Sequence, residues 1–173
     1  HINSYKYYRT SLWESRNYDE LFPEFLVEDL GLNTLTNPKF DFHNISSNLG
    51  VRYSINEGEN LYFNYSISSR KPNPSELFSE GLHHSSARIE IGDLSFTSEV
   101  GNNVSLNYSF SNEKSAFIFS SFYNYVNDFI YIIPVRTTTT LAGVFPVWEY
   151  MQSDANLYGF DVKYDRQYFD NFF

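Results

Sequence analysis

The sequence predicts an all-β fold, an antiparallel up-and-down meander, and two observations indicate it. Apolar and polar residues alternate with a period of two over several runs of ten or more residues, which places one kind on each face of a strand. Short polar turns alternate along the chain with long irregular connections. Aromatic residues make up 20% of the chain, with Tyr 15 and Phe 17, which is far above ordinary usage.

The clearest pair of strands is a predicted hairpin around a polar loop at residues 56–60. Before the loop the apolar residues fall mainly on odd positions of residues 45–55, and polar residues or Gly occupy the even positions. After it, the same alternation returns over residues 61–68. Each run is about ten residues long, the length that a tilted strand needs to cross a bilayer.

Further strands are predicted in order along the rest of the chain, at residues 94–110, 116–129 and 154–169. The polar run SNEKS at residues 111–115 forms a short turn. The long connections are residues 10–42, 71–93 and about 130–153, the last either a loop or strand extensions around one. Within the first connection, EFLVEDL fits two helical turns or a loop, and residues 1–9 hold a further strand candidate.

Two environments fit this pattern, a soluble sandwich and an outer-membrane barrel. In a sandwich the apolar faces share a core, whereas in a barrel they contact lipid. The alternation of connection lengths favours the barrel, because it gathers the short turns on one side of a meander. Aromatic residues near strand ends match interfacial girdles: Tyr53, Tyr108, Phe110, Tyr125 and Phe129. A shared interior formed by Leu49, Phe63, Leu106 and Phe160 would contradict this prediction.

Composition narrows the functional classes. A net charge of −9 argues against a nucleic-acid partner, and a mean hydropathy of −0.42 argues against a membrane-spanning helix. The chain has no Cys, and no carboxylate pair is accompanied by a base or nucleophile. We therefore expect no enzymatic activity, catalytic residue, cofactor or metal site. The start at His1 and the end in mid-pattern indicate a piece of a longer protein.

Five residues of the long connections are candidates for ligand binding. His83 and His84 are adjacent and point to opposite sides of an extended chain, so at most one is expected to contact a ligand or its metal; hydrogen bonding within the loop is the alternative. Trp13, Trp148 and Tyr150 could stack on a ligand ring or a sugar face. Packing of the loops on each other is the alternative for these three aromatics.

Several motifs appear in a fixed order between residues 42 and 164. The first, Arg-x-Pro followed by Glu-Leu and Gly-x-His, comprises Arg70, Pro72, Glu76, Leu77, Gly81 and His83. The second comprises Gly92, Asp93, Leu94 and Glu99, and the third comprises Ala155, Gly159 and Asp161. As an ordered set they resemble the C-terminal barrel region of TonB-dependent outer-membrane receptors. Asp161 departs from the Glu usual in that family.

The resemblance implies a larger architecture than this chain supplies. It implies a transmembrane barrel of about 22 strands with an N-terminal plug, of which residues 1–173 are a fragment that lacks the plug and the remaining strands. The implied function is energy-coupled uptake of a scarce nutrient, such as an iron chelate, across a Gram-negative outer membrane. The implied partners are outer-membrane lipid, the plug, an inner-membrane energy-coupling protein and a small molecule such as a ferric siderophore.

In this interpretation Arg70, Pro72, Glu76, Gly92, Glu99 and Gly159 are structural motif residues. The alternative function is a soluble or surface-attached β-domain that binds glycans through Trp13 and Trp148. An outer-membrane enzyme is a third interpretation, for which the sequence shows no catalytic triad.

Overall fold

The computed structural model of the chain describes residues 2–3, 7–8, 15–29, 34–36 and 38–167. Its early strands are β1 Ile2–Asn3, β2 Tyr7–Tyr8, β3 Leu26–Asp29, β4 Thr34–Thr36 and β5 Lys39–Phe40. Its later strands are β6 Ser46–Asn56, β7 Glu59–Arg70, β8 Glu80–His83, β9 Arg88–Ile91, β10 Glu99–Ser111, β11 Ser115–Thr140 and β12 Gly143–Arg166. The helical elements are α1 Tyr18–Leu21, a 3-10 turn Pro23–Phe25 and α2 Pro74–Phe78.

The predicted all-β fold is confirmed. The main sheet has the strand order β6-β7-β10-β11-β12-β9-β8. The pairs β6–β7, β7–β10, β10–β11 and β8–β9 are antiparallel, whereas β9 joins β12 in parallel. Two smaller sheets have the orders β1-β5 and β2-β4-β3. The predicted hairpin appears as β6 and β7, joined by a shorter turn than the sequence indicated.

The chain divides into two compact units, which we describe separately. Unit 1 comprises His1–His43, Lys71–Thr97 and Ile130–Gln152. Unit 2 comprises Asn44–Arg70, Ser98–Phe129 and Ser153–Phe173. Unit 2 therefore contains most of the predicted long strands, and unit 1 contains most of the predicted long connections.

In unit 2 the strand register aligns apolar residues in rows across the sheet. Read from β6 through β7 and β10 to β11, the central rows are Leu49, Tyr65, Val104, Tyr123; Val51, Phe63, Leu106, Ser121; and Tyr53, Leu61, Tyr108, Phe119. The opposite face carries rows such as Asn48, Ser66, Asn103, Asn124 and Arg52, Tyr62, Asn107, Ser120. One face of the sheet is thus apolar and aromatic, and the other is largely polar.

The apolar face does not enclose a core. Leu49, Phe63, Leu106 and Phe160, which would converge in a soluble sandwich, are 62%, 41%, 38% and 77% exposed. The period-two pattern alone allowed either environment, and the exposed face agrees with the barrel interpretation. The soluble interpretation required a shared interior that the described part of unit 2 lacks.

Unit 1 has a core of its own, built largely from aromatic rings. Its buried residues are Tyr18, Phe25, Leu77, Leu94, Phe96 and Ile130. Phe22 stacks on Phe25 at 4.9 Å between ring centroids, and Phe40 meets Phe25 edge-on at 5.2 Å. Edge-on and offset contacts are the preferred geometries of aromatic pairs. The high aromatic content therefore serves a packed core in unit 1 and an exposed face in unit 2.

Neither alternative for EFLVEDL, two helical turns or a loop, matches the described residues 24–29. Pro23–Phe25 forms a single 3-10 turn, and Leu26–Asp29 continues as β3, which pairs with β4. Proline supports the first turn of a helix, but the residues that follow find backbone partners in a strand instead. Tertiary pairing overrides the weak local propensity of this short segment.

Other boundaries also differ from prediction. Residues 71–93, expected to be a loop, contain α2 and the β8–β9 hairpin. The strand predicted from residue 94 begins at Glu99. Residues 130–151 extend β11 and β12 towards a two-residue turn at 141–142, as the strand-extension alternative proposed. A capping box at Asn73 and Glu76, with Pro74 at the helix start, is the local signal for α2 that the loop prediction missed.

Candidate ligand-binding site

A buried hydrogen-bond network anchors the start of unit 1 to the turn after β9. The Tyr18 hydroxyl donates to Asp93 Oδ1 at 2.9 Å and accepts the backbone N–H of Leu94 at 3.0 Å. Ser95 donates to the same Asp93 oxygen through its N–H and its hydroxyl, at 2.9 and 2.7 Å. Asp93 Oδ2 accepts from Arg16. The buried carboxylate is thus fully engaged, as burial of a charge requires.

Burial also sets the ionisation of Tyr18, whose side chain is 1% exposed. Desolvation raises the pKa of the Tyr18 phenol far above its ordinary value, and the Leu94 N–H that donates to the phenol offsets part of the rise. The charge of Asp93 raises this pKa further. The phenol therefore stays protonated and serves as a donor in the network.

A chain of ion pairs continues from Asp93 to the surface. Arg16 Nη2 lies 3.6 Å from Glu149 Oε2, and Arg136 Nη1 donates to Glu149 Oε1 at 2.6 Å. Glu149 lies in β12 and Arg136 in β11, so the β11–β12 ribbon carries both ends of the second pair. One carboxylate is therefore held between two guanidinium groups.

These groups line a cleft within unit 1, which we call the Arg136 cleft. Its volume is about 650 Å³, inside the range of small-molecule sites, roughly 300–1,000 Å³. Its lining residues are Ser15, Arg16, Glu80, Ile91, Arg136, Glu149 and Met151. Charged groups beside two apolar side chains make it the strongest candidate for ligand contact among the described residues.

The two candidate histidines lie at the tip of the β8–β9 hairpin, where His83 makes local contacts. His83 Nδ1 is 3.0 Å from Ser86 Oγ and 3.1 Å from Ser85 Oγ, which matches the hydrogen-bonding alternative for a loop histidine. His84 is exposed in the turn. Neither residue lines the Arg136 cleft.

The predicted aromatics of the same unit have packing partners. The Arg88 guanidinium lies over the Trp148 ring, 4.8 Å from its centroid, a cation–π contact. Tyr150 packs against the aromatic core and donates to Glu90 at 3.4 Å. Glu90 is buried and also accepts from Arg88 Nε at 2.7 Å. These contacts match the packing alternative for both rings; Trp13 lies outside the described residues.

The motif residues of α2 and β9 have clear structural roles. The Glu76 carboxylate accepts the backbone N–H of Asn73 at 2.7 Å and closes the capping box. Gly92 lies against the backbone of α2, where a Cβ atom would come within 2.6 Å of the Glu76 carbonyl oxygen. Pro72 is fully buried. A side chain at position 92 would separate the two segments, which explains why glycine is needed.

Two other motif residues pair within unit 2. Arg70 Nε donates to Glu99 Oε2 at 2.6 Å, and Arg70 Nη2 donates to Glu99 Oε1 at 2.7 Å. The register places these residues opposite each other on β7 and β10. This two-pronged geometry is the strongest form of arginine–carboxylate contact.

Sequence reasoning missed the main residues of the Arg136 cleft. Arg16 fell in a segment without regular pattern, and Glu149 joins it over a long sequence separation. The available signal was the isolated Arg136 in an otherwise uncharged run of Thr and apolar residues.

Among the described residues, no cluster of three His, Cys, Asp or Glu side chains is arranged to hold a metal ion. The described helices are all too short or too polar to span a membrane.

Comparisons with known proteins agree with the architecture. The family model for TonB dependent receptor-like β-barrels matches residues 5–173. No curated protein matches the chain. The fold is similar to the crystal structure of the siderophore receptor PirA from Pseudomonas aeruginosa, with 14% identity and a TM-score of 0.53. That match covers 75% of this chain and 24% of the other, so this chain spans about a quarter of that receptor's length.

Proposed function

The chain belongs to the TonB-dependent receptor β-barrel family, and on this basis we propose that it forms part of the wall of an outer-membrane receptor for nutrient uptake. The nutrient is a scarce small molecule such as an iron chelate, and the process is transport without covalent chemistry. The location is the outer membrane of a Gram-negative bacterium.

The observation that carries this proposal is the exposed apolar face of unit 2. Its rows align through the register of β6, β7, β10 and β11, and Leu49 and Phe160 are 62% and 77% exposed. Exposing such a face to water costs a free energy of about 25 cal/mol for each Å² of apolar surface. Contact with lipid carries no such cost. The polar rows of the opposite face suit a water-filled or plugged lumen.

A tyrosine hydroxyl near the short turns supports the same orientation. Tyr108 donates to Glu59 at 2.7 Å, close to the short turns. Tyr65 and Tyr123 share a central row of the same face, where their hydroxyls donate to Asn102 at 2.9 Å and to Asn156 at 2.6 Å. Rings with polar tips are typical of the two interfaces of a membrane.

The remaining parts of the proposal concern the whole protein. We propose that a plug domain and further strands, supplied by the rest of the receptor, complete the barrel, and that an inner-membrane protein provides the energy. Residues 1–173 are one fragment of the barrel domain in this proposal. Unit 1 supplies ligand contacts, for which the Arg136 cleft is a better candidate than His83, His84, Trp13, Trp148 or Tyr150.

Cysteine labelling of the full-length receptor tests the orientation. Leu106 and Asn107 are neighbours whose side chains occupy opposite faces of β10, and this chain has no Cys of its own. A polarity-sensitive fluorophore at Leu106→Cys should be quenched by nitroxide lipids, because the apolar face meets hydrocarbon. The same fluorophore at Asn107→Cys is the matched control and should not be quenched.

Equal quenching at both positions, or none at Leu106→Cys, would contradict the barrel orientation.

The transport step has a separate test. A strain that lacks the gene should fail to take up at least one member of a panel of radiolabelled iron chelates, and the restored gene should return uptake. Normal uptake of every chelate by the deletion strain would argue against an iron chelate as the nutrient.

A further inference from the structure

We propose that the Arg136 cleft binds a carboxylate-bearing small molecule, with the ligand carboxylate held by the Arg136 guanidinium. The inference rests on the proposed function, because an uptake receptor must first hold its small molecule. It goes further by naming a chemical class and the residue that recognises it. All of the residues concerned lie in unit 1.

The first argument is the unused capacity of Arg136. A guanidinium carries five N–H donors arranged as a planar fork. Among the described residues, the Arg136 guanidinium uses one of them, the Nη1 bond to Glu149 at 2.6 Å. Its side chain is 56% exposed and lines the cleft. Donors with fork geometry are therefore accessible to a molecule inside the cleft.

The Arg70–Glu99 pair shows the geometry of a two-pronged arginine–carboxylate contact. Arg70 donates through both Nε and Nη2 to the two oxygens of one carboxylate, at 2.6 and 2.7 Å. Arg136 has a single-pronged contact with its own carboxylate partner. A ligand carboxylate could dock on the open fork in the geometry that Arg70 already displays, and Glu149 would keep its contact with Arg16.

The second argument is that two carboxylates near the cleft are already engaged. Asp93 accepts from Tyr18, Ser95 and Arg16. Glu149 is held between Arg16 and Arg136. A cationic ligand would have to compete with these guanidinium groups, whereas a carboxylate meets accessible donors. Fork recognition is the property that distinguishes arginine from lysine at such sites.

The rest of the lining constrains the other end of the ligand. Glu80 supplies carboxylate oxygens, which suit a hydroxyl, amine or other donor on the ligand. Ile91 and Met151 supply apolar contact. The ligand we infer therefore combines a carboxylate with at least one hydrogen-bond donor, at a size that a cleft of about 650 Å³ can hold.

Citrate is a suitable probe, because it carries carboxylates and a hydroxyl donor. Equilibrium dialysis of radiolabelled citrate against the full-length receptor in detergent should show saturable binding. We expect Arg136→Lys, which keeps the charge and loses the fork, to weaken binding at least tenfold, and Arg136→Gln to weaken it further. The matched control is Arg52→Lys in unit 2, which should bind citrate as the unchanged receptor does. Citric acid triamide, a neutral analogue, should not compete.

Unchanged affinity in Arg136→Lys and Arg136→Gln, absence of citrate binding, or competition by inorganic phosphate equal to that of citrate would overturn the inference. These outcomes are separable from failure of the proposed function. Labelling at Leu106→Cys reports the membrane orientation whether or not citrate binds, and it also shows that each Arg136 variant has folded into the membrane.

Discussion

The ring of Phe122 on β11 lies directly over Gly159 on β12. A Cβ atom at position 159 would approach Phe122 Cε1 to 2.9 Å and Cζ to 3.2 Å. Phe122 shares the largely polar face of the unit 2 sheet, where it stands opposite Ser105. An aromatic ring that covers a glycine on the next strand is a recognised way to stabilise a sheet. The motif glycine is thus explained by a close side-chain contact within the wall.

Replacing this glycine should therefore destabilise the receptor modestly. We expect Gly159→Ala to lower the free energy of unfolding by about 1 kcal/mol, because the ring must shift to admit the methyl group. Urea titration in lipid vesicles, followed by fluorescence, measures the change. Combining Gly159→Ala with Phe122→Leu should cost less than the two single changes added together. Strict additivity would show that the ring and the glycine are not coupled.

Arg70 should contribute strongly to the free energy of unfolding through its ion pair with Glu99. The Glu99 side chain is 10% exposed, so removal of the guanidinium leaves a poorly solvated carboxylate. We expect Arg70→Met to cost about 2 kcal/mol of unfolding free energy in the same urea assay. Glu99→Gln in the Arg70→Met background should recover part of the loss, since it removes the buried charge. A double variant no more stable than Arg70→Met would contradict this account.

A charge on the apolar face should be far more costly than the same charge on the polar face. We expect Leu106→Arg to reduce the stability of the membrane-inserted receptor by about 2–4 kcal/mol, because it places a cation in hydrocarbon. Asn107→Arg, its neighbour on the opposite face, should cost less than about 1 kcal/mol. Unfolding from lipid vesicles compares the two, and equal costs would show that both faces of β10 meet water.

Alkaline pH should loosen unit 1 through Tyr18. Its pKa is raised in the folded state, so its contribution is fully present below the ordinary tyrosine pKa, about 10. Above that pH the unfolded form releases the proton while the folded form retains it, and stability falls as pH rises towards the folded-state pKa. Protease cleavage within residues 15–29 should therefore increase above pH 10.

Tyr18→Phe provides the comparison for this pH effect. It lacks the ionisable group, so its cleavage rate should rise less steeply with pH than that of the unchanged receptor, although its rate at neutral pH is higher because the bond to Asp93 is lost. Parallel pH profiles for the two proteins would show that another group controls the alkaline change.

Local pattern was sufficient to locate the strands of unit 2, although not all of their ends. The alternation in residues 45–55 and 61–68 predicts β6 and β7, because the two faces of a strand meet different environments. The polarity of each residue then indicates which face it occupies. Pattern was insufficient for β3, β8 and β9, which are short strands whose pairing is decided by distant partners.

The candidate site was harder to predict for the same reason. Tyr18 and Asp93 are 75 positions apart, and no local property of either residue indicates the other. Trp148 and Tyr150 were chosen for their chemistry alone, and their contacts with Arg88 and Glu90 depend on the parallel pairing of β9 with β12. Such pairing is a property of the folded chain and leaves no signature in either segment.

The outer side of β6 has consequences for biogenesis. β6 pairs with β7 alone among the described strands, and all of its residues are exposed. Its free backbone groups form a template that can recruit another chain and lead to aggregation. In the proposed receptor this edge would therefore need a pairing partner to avoid aggregation. The proposed barrel would make this edge a natural junction for split-protein complementation, in which the adjoining strands are supplied as a second polypeptide.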